Sequence, residues 1–369
     1  MSVMAQAYAS ARESGWLIDY GAAVKFDAPL VVTDLRSVPG VARAAETQGF
    51  DGLFTFEGPR DPFLPLLLAA EHTERVALMT AVAIAFARNP MTVANLGWDL
   101  QSASTGRAIV GLGSQIKPHV EKRFSMPWSA PAAKMREFVL AVRAVWSCWQ
   151  DGTPLRFDGT HYRHTLMTPF FSPGPLPSGP PRIFLGGVGP AMTAVAGEVA
   201  DGFFVHPFSS PHYLRDRTLP ALRAGACGSH TSFEIAWPVM VATGDDDESR
   251  ASAEFATRAQ LAFYASTPAY CPVLDVHDRA ELQPELNRLS KTGDWTAMVA
   301  VIDDELFDAI AIRGTPAECG NELARRTVGL VDRVAANAPY AAAPGVWVEV
   351  LKTFRKTVDE MRLGTTGGL

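Results

Sequence analysis

Along the chain, short continuous or alternating apolar runs take turns with runs whose apolar residues recur at helical spacing. "AAVKFDAPLVV" (Ala22–Val32) reads as a first strand. "VPGVARAAETQG" (Val38–Gly49) reads as a helix that Gly49 ends. Asp51–Phe56 reads as the second strand, and Asp61–Thr73 as the next helix, with Asp61 as its cap and Pro62 in its first turn. "VALMTAVAIAF" (Val76–Phe86) is apolar throughout, as a strand covered on both faces should be. A helix over Pro90–Ser104 leads to a fourth strand, Arg107–Gly113. Further strands are predicted at Arg182–Leu185, Gly202–Val205, Phe233–Gly244 and Val331–Ala338, with helices at Ala132–Trp149, Thr315–Thr327 and Gly345–Arg362. "PLRFDGTHYRH" (Pro154–His164) alternates like a hairpin turning at Asp158-Gly159. Eight strands separated by helices predict a (β/α)8 barrel formed as one domain over residues 1–369. Its insertions are expected after strands four and seven, at about 114–130 and 266–305. A doubly wound open sheet is the alternative, and it fits less well because crossovers this regular tend to close.

Composition narrows the function classes. The 369 residues are 47% hydrophobic with a net charge of −6, enough for a large core and without the basic tract that would mark a nucleic-acid surface. Cys148, Cys227, Cys271 and Cys319 lie far apart with no CxxC pair. This argues against a zinc site or disulfide framework and fits a reducing, cytoplasmic setting. The first twenty residues lack the apolar core of a signal peptide. The longest nearly apolar run, Val76–Ala87, is shorter than the roughly 20 residues that span a bilayer. Neither a membrane nor a nucleic-acid partner is expected.

The stretch "RIFLGGVGPAMTAVAGEVADGFFVH" (Arg182–His206) puts Gly186, Gly187 and Gly189 where a strand gives way to a helix. Bare backbone before a helix N-terminus offers unpaired N–H groups to an anion such as phosphate. Dinucleotide binding in the Rossmann mode is disfavoured, since Met192 stands where the third glycine belongs and no acidic residue lies near position 207. On spacing alone, a ligand-free glycine turn explains the stretch equally well.

In the order of its segments the chain resembles the luciferase-like monooxygenase superfamily, specifically the branch of oxidoreductases that use the deazaflavin coenzyme F420. The stretches that carry the resemblance are "GFDGLFTFEGPRDPFLPLLLAAEHTERVAL", "RNPMTVANLGWDLQSASTGRAIVGLGSQIKPHVEKRFSMPW", "FLGGVGPAMTAVAGEVADGFFVHPF" and "STPAYCPVLDVH". The resemblance implies a cofactor lying across the C-terminal mouth of the barrel. The family's phosphate loop matches Gly186, Gly187, Val188 and Gly189. The loop beside the ring system matches Gly111, Gly113, Ser114 and Gln115. A non-proline cis peptide, which supports the ring in many members, is implied near Ala81, Val82 and Ala83. Some sugar-oxidising members carry a glutamate where this chain has Ser114, so their proton-donor scheme is not carried over.

A deazaflavin moves hydride in pairs, so the protein's tasks are to hold, orient and shield it, and to place an acid or base by the substrate. Glu57 is the first candidate because it ends the second strand, although an ion pair with Arg60 explains it as well. Members often have an Asp-His pair there, and this chain has "FEGPR". His206 ends the sixth strand, and His119 lies in the long loop after the fourth; each also reads as an ordinary packed or loop residue. Lys122 and Arg123 read as a charged face or as a clamp for an anionic tail, and Trp128 as a lid or an anchor. His72 reads as structural. A metal cluster of His119, His206 and Glu57 is disfavoured, because no HxH follows the first strand. "IDDE" (Ile302–Glu305) reads as a solvated turn.

Three functions follow. The first is an F420-dependent oxidoreductase moving hydride to or from a small organic substrate. The second is a monooxygenase using FMN that a partner enzyme has reduced. The third is a flavin-binding relative without catalysis. Relatives of this kind are commonly homodimers, which is the expected assembly.

Overall fold

A computed structural model describes residues 24–226, 233–343 and 345–366. The parallel strands are β1 (Lys25–Pro29), β2 (Gly52–Thr55), β3 (Ala77–Thr80), β4 (Ala83–Ile84) and β5 (Ala108–Gly113). After a two-stranded ribbon, β6 (Phe157–Asp158) and β7 (Arg163–His164), come β8 (Arg182–Gly186), β9 (Gly202–Phe204), β10 (Glu234–Thr243), β11 (Ala311–Gly314) and β12 (Arg333–Asn337). Pairing runs β10–β12–β1–β2–β3–β5–β8–β9 and returns to β10. Eight strands thus close on themselves with helices in the connections, the barrel that the periodicity predicts. β4 extends the third strand along β5, and β11 pairs only with β10.

Helices begin and end where local chemistry dictates. α1 (Val38–Gln48) stops at Gly49, whose φ of 97° is the left-handed conformation that glycine adopts without strain. Asp61 Oδ1 accepts the amide of Phe63 at 2.8 Å and so opens α2 (Phe63–Ala70). Asn89 caps α3 (Pro90–Ala103). α4 (Pro131–Asp151) and α5 (Pro190–Val199) both start on proline, whose missing N–H costs nothing in a first turn. α6 (Asp247–Ala265) begins with a capping box between Asp246 and Ser249. α10 (Pro316–Thr327) begins with another between Thr315 and Glu318. α11 (Val346–Thr366) closes the described chain.

By its contacts the chain forms two compact units. Of the described residues, one unit comprises those in Asp27–Phe204 and Ala221–Glu234; the other holds those in Val205–Pro220 and from Ile235 onward, with the few before Asp27. The first is centred on Met79, Ile109 and Phe184, at most 1% exposed. The second is centred on Phe208, Met240, Leu261, Leu274, Leu286, Phe307 and Ile310, each fully buried.

Four local expectations change. The third strand is divided, because the chain breaks step at Ala81–Val82 between β3 and β4. The hairpin turns over four residues, Gly159 to Tyr162, since the Glu137 carboxylate accepts the amides of Thr160, His161 and Tyr162 and organises a wider turn. The segment 266–305 is largely helical: besides short turns it forms α7 (Leu282–Thr292), α8 (Trp295–Val301) and the start of α9 (Asp304–Ile310). Within it "IDDE" is a helix start, not a solvated turn, with Asp303 Oδ1 accepting the Leu306 amide at 2.7 Å. The first strand is shorter than Ala22–Val32, and residues 22 and 23 lie outside the described residues, as do Cys227 and the first twenty residues. Among the described residues no helix is long and apolar enough to cross a membrane.

Candidate active site

In the first unit the ends of β3, β5 and β8 meet around one side chain. The peptide bond between Ala81 and Val82 is cis, where the family resemblance implies one. Val82 then projects between two glycines. A Cβ at Gly113 would lie 2.6 Å from Val82 Cγ2, and one at Gly186 would lie 3.1 Å from Val82 Cγ1. Neither position has room for a larger residue unless Val82 moves. Gly111 is committed to the sheet interior: a Cβ there would stand 1.8 Å from the Thr80 carbonyl and 2.5 Å from the Phe204 ring. Thr80 Oγ1 donates to the Gly111 carbonyl at 2.7 Å and accepts its amide at 2.8 Å, replacing ladder bonds where the third strand leaves register. Packing therefore accounts for the glycine at 111, and the open ends of the strands lie beyond it.

Glu57 holds this bulge in place. Its amide donates to the Val82 carbonyl at 3.2 Å, and its Oε2 accepts the Ile84 amide at 2.7 Å. The same oxygen pairs with Arg88, which also reaches Asp61 at 2.8 Å. The two side chains of the Glu57–Arg88 pair are only 7% and 12% exposed. Arg60, the partner considered from sequence, bonds to the Thr33 carbonyl instead. With one oxygen engaged by an arginine and a backbone amide, Glu57 has the geometry of a positioning residue.

The segment after β5 starts with Ser114, whose hydroxyl donates to the Gln115 carbonyl, and with Gln115 at φ 59°, a left-handed conformation uncommon for a side-chain-bearing residue. His119 opens a short π-helical turn, His119–Arg123, and is exposed with no side-chain hydrogen bond among the described residues. It does not join Glu57. Arg123 crosses to the Gly58 carbonyl at 2.8 Å, and Lys122 is exposed. Trp128 meets Phe86 edge to face at 5.8 Å. Lys134, 7% exposed, sits 4.7 Å from the same ring and donates to the Pro127 carbonyl. Burial lowers the pKa of Lys134 from its ordinary value. These contacts make Trp128 an anchor for the loop. His72, as expected, is structural, with Nδ1 2.9 Å from the Leu68 carbonyl.

The turn from β8 into α5 is open. A Cβ at Gly187 would lie 2.7 Å from Met192 Cγ, whereas one at Gly189 would meet nothing within 4 Å. Gly189, at φ −90° and ψ 154°, adopts backbone that any residue can adopt, so neither strain nor crowding demands a glycine there, and only its place as helix cap favours one over alanine. The amides of Gly187, Gly189 and Ala191 have no hydrogen-bond partner among the described residues and stand at the positive end of a ten-residue helix. Half-buried Val188 lies between them. Bare amides, a helix N-terminus and free space fit the phosphate of a flavin or deazaflavin tail. The apolar segment Ala81–Ala83 at the neighbouring strand ends fits a flat ring.

In the second unit His206 stands two residues beyond β9. Its Nδ1 accepts the Phe208 amide at 3.1 Å, and its Nε2 lies 3.1 Å from the Tyr270 hydroxyl. The imidazole stacks on Tyr270 at 4.5 Å and meets Tyr264 edge-on at 4.8 Å. Burial alone pushes the His206 pKa down to about 4. Asn337, at the end of β12, donates to Gln260 Oε1, and Gln260 Nε2 donates to the Tyr264 hydroxyl at 3.1 Å. Sequence reasoning missed Tyr264, Tyr270, Gln260 and Asn337. The i, i+4 spacing of Gln260 and Tyr264 gave the only local hint. Among the described residues no group of three or more His, Cys, Asp or Glu could hold a metal ion.

An uncharacterized protein of Mycobacterium tuberculosis is 54% identical over 307 residues, 82% of this chain and 90% of that protein. A putative coenzyme F420-dependent oxidoreductase of the same species is 31% identical over 292 residues, 73% of this chain and 82% of its own. The coenzyme F420-dependent tetrahydromethanopterin reductase of Methanopyrus kandleri superposes with a TM-score of 0.71 at 20% identity, covering 92% of this chain and 99% of that one. It supports the barrel fold. Residues 9–333 match the family described as luciferase-like monooxygenase, and with that match across most of its length the chain belongs to the luciferase-like monooxygenase family.

Proposed function

We propose that the protein is an F420-dependent oxidoreductase that moves hydride between the deazaflavin and a small organic substrate. The observation that carries this reading is the open turn at Gly187–Gly189, with free amides and vacant space, beside strand ends packed on Val82. The F420 dependence named for the 31% identical relative supports the choice of deazaflavin. Backbone amides of Gly187, Gly189 and Ala191 would hold the anionic tail. Ala81, Val82 and Ala83 would floor the ring, with Gly113, Ser114 and Gln115 at its side. When bound, the deazaflavin supplies a two-electron hydride donor or acceptor. The chain's own part is to orient it: Glu57 and Arg88 fix the segment under the ring, and the Trp128 anchor keeps the 114–130 loop in place. A separate reductase or dehydrogenase would recharge the cofactor, and the working assembly would be a homodimer.

Titration with F420 and, separately, with FMN, followed by quenching of cofactor fluorescence, tests the proposal. F420 should quench saturably at micromolar concentration. Saturable FMN binding with no F420 response would move the protein to the flavin-dependent monooxygenases. No response to either would remove the cofactor reading altogether.

A further inference from the structure

The strands of the first unit decide which side chains border the Val82 floor. A Cβ at Gly97 of α3 would stand 2.9 Å from Val110 Cγ2, so Val110 faces that helix. Its neighbours along β5, Ile109, Gly111 and Gly113, then face the other way by alternation. On that second face Phe54, Met79, Ile109 and Phe184 pack together. The register Pro29↔Phe54↔Met79 extends the face across β1, β2 and β3. The Leu30 amide donates to the Phe54 carbonyl at 2.8 Å, and the Ala81 amide to the Thr55 carbonyl at 2.6 Å, so pairing continues past the strands' ends. Two residues on from Pro29, Phe54 and Met79, the face ends in Val31, Phe56 and Ala81. These ends are apolar and uncovered. Val31 is 64% exposed and Phe56 50%. The Phe56 ring lies along Gly58, where a Cβ would come 3.2 Å from its Cε2. The Gly58 carbonyl accepts Arg123, which ties the loop after β5 to this turn, and that loop adds Ile116, 52% exposed. The arginines of these turns are engaged: Arg60 with the Thr33 carbonyl, Arg123 with Gly58, and Arg88 with Glu57 and Asp61. Lys117 pairs with Glu121, and His119 and Lys122 stand exposed on the loop, not at a strand end. Uncovered apolar side chains beside engaged polar ones mark a place where an apolar ligand displaces water.

We propose that the protein takes an uncharged substrate with an apolar body, seated on Phe56 and Val31, and that Phe56 is the side chain that selects it. The strand order β1, β2, β3, β5, β8 puts this apolar edge at one end, the Gly187–Gly189 turn at the other and Val82 between them. A ligand on Phe56 is therefore next to the Val82 floor, since Phe56 is aligned with Ala81 and the following amide, that of Glu57, donates to the Val82 carbonyl. That the substrate lies beside a deazaflavin rests on the reading above; the apolar seat does not. Carboxylated or phosphorylated molecules are disfavoured there, because their charge would give up water against a phenyl ring and a valine and gain no partner at the strand ends.

Nile red, a neutral dye that brightens in apolar surroundings, tests the seat on the protein without cofactor. It should bind saturably, and Phe56→Asp should weaken it about tenfold or more, as the lost contact with a phenyl ring implies. Phe56→Leu should bind it nearly as wild type does. Phe170→Ser, at a phenylalanine 89% exposed beyond the β6–β7 ribbon, should leave binding unchanged. Acetophenone should displace the dye, and benzoate at the same concentration should not. Dye binding that survives Phe56→Asp, or that Phe170→Ser removes, would overturn the seat. Should Phe56→Asp fail to fold, Val31→Asp, at the more exposed position, decides in the same way. Displacement by benzoate as strong as by acetophenone would overturn the uncharged class. F420 quenching, followed on the same proteins, should match wild type in Phe56→Asp, and its loss there would overturn the selecting role of Phe56. Wild-type protein that binds the dye at Phe56 but not F420 would refute the cofactor reading and uphold the seat. F420 quenching without any dye binding would do the reverse.

Discussion

Replacing Gly189 by alanine separates what the protein needs from what a ligand needs. At φ −90° and ψ 154° alanine is unstrained, and its Cβ would meet no atom within 4 Å. Loss of glycine's unfolded-state freedom favours the variant by roughly 0.4–1 kcal/mol. A poorer helix cap costs a similar amount, about 0.5–1 kcal/mol. The two nearly cancel, so the melting temperature should move by less than about 1 °C for a chain of this size. Binding should respond differently, because the new methyl stands where an anion would approach the Gly187 and Gly189 amides. A hydrogen bond to a charged group is worth about 1.5–3 kcal/mol, which weakens F420 roughly 10- to 100-fold per bond lost. The assay is F420 quenching beside thermal unfolding. As a control, the deazaflavin chromophore stripped of phosphate and glutamates should bind both proteins alike. Unchanged F420 affinity in Gly189→Ala, or equal weakening of the stripped chromophore, would refute the assignment of this turn to the phosphate.

Other outcomes follow from the same geometry. Gly113→Ala forces a Cβ to 2.6 Å from Val82 Cγ2 and should cost about 1–3 kcal/mol in denaturant unfolding, as overpacking does; a cost near zero would contradict the packing described. Glu57→Gln leaves the buried Arg88 with Asp61 as its remaining carboxylate and should destabilise by about 2–4 kcal/mol, toward the low end for a broken buried pair. Trp128→Ala removes an edge-to-face pair worth roughly 0.5–1.5 kcal/mol beyond its buried area and should speed proteolysis within residues 114–130. The pH dependence of stability has a definite sign. His206 has a folded pKa of about 4 against an ordinary 6.5, so between those values the unfolded chain binds a proton that the folded one refuses. Its contribution is whole above pH 6.5 and is lost as the pH falls through 4, by up to about 3 kcal/mol. Wild type should therefore lose more stability than His206→Gln over that window, and parallel curves would contradict the environment assigned to His206.

The barrel was legible because each strand–helix unit carries its own punctuation. Gly49, Asp61, Asn89 and Thr315 act on residues within four positions of themselves, and the structure uses them as caps. The cis bond followed from resemblance, since nothing local in "TAVAIA" announces it. Contacts between residues distant in sequence were illegible. Glu57 lies next to Arg60 in the chain, yet it pairs with Arg88, which the bulge carries to it. Nothing in the sequence shows that the Thr80 carbonyl fills the side-chain direction of Gly111, a packing reason for glycine beside the one the resemblance implies. In 266–305 the helices Trp295–Val301 and Asp304–Ile310 are short and start on Asp294 and Asp303, so the acidic cap within "IDDE" reads as a solvated turn. Tyr270 and His206 are 64 residues apart, and their pairing emerges only when the second unit folds.

The central claim is that a deazaflavin's acidic tail rests on the main-chain amides of the β8–α5 turn. A crystal structure of the protein grown with F420 tests it most directly. The account predicts the phosphate within hydrogen-bonding distance of the Gly187 and Gly189 amides, with the ring against Val82. A phosphate held elsewhere, with that turn left to solvent, would contradict it.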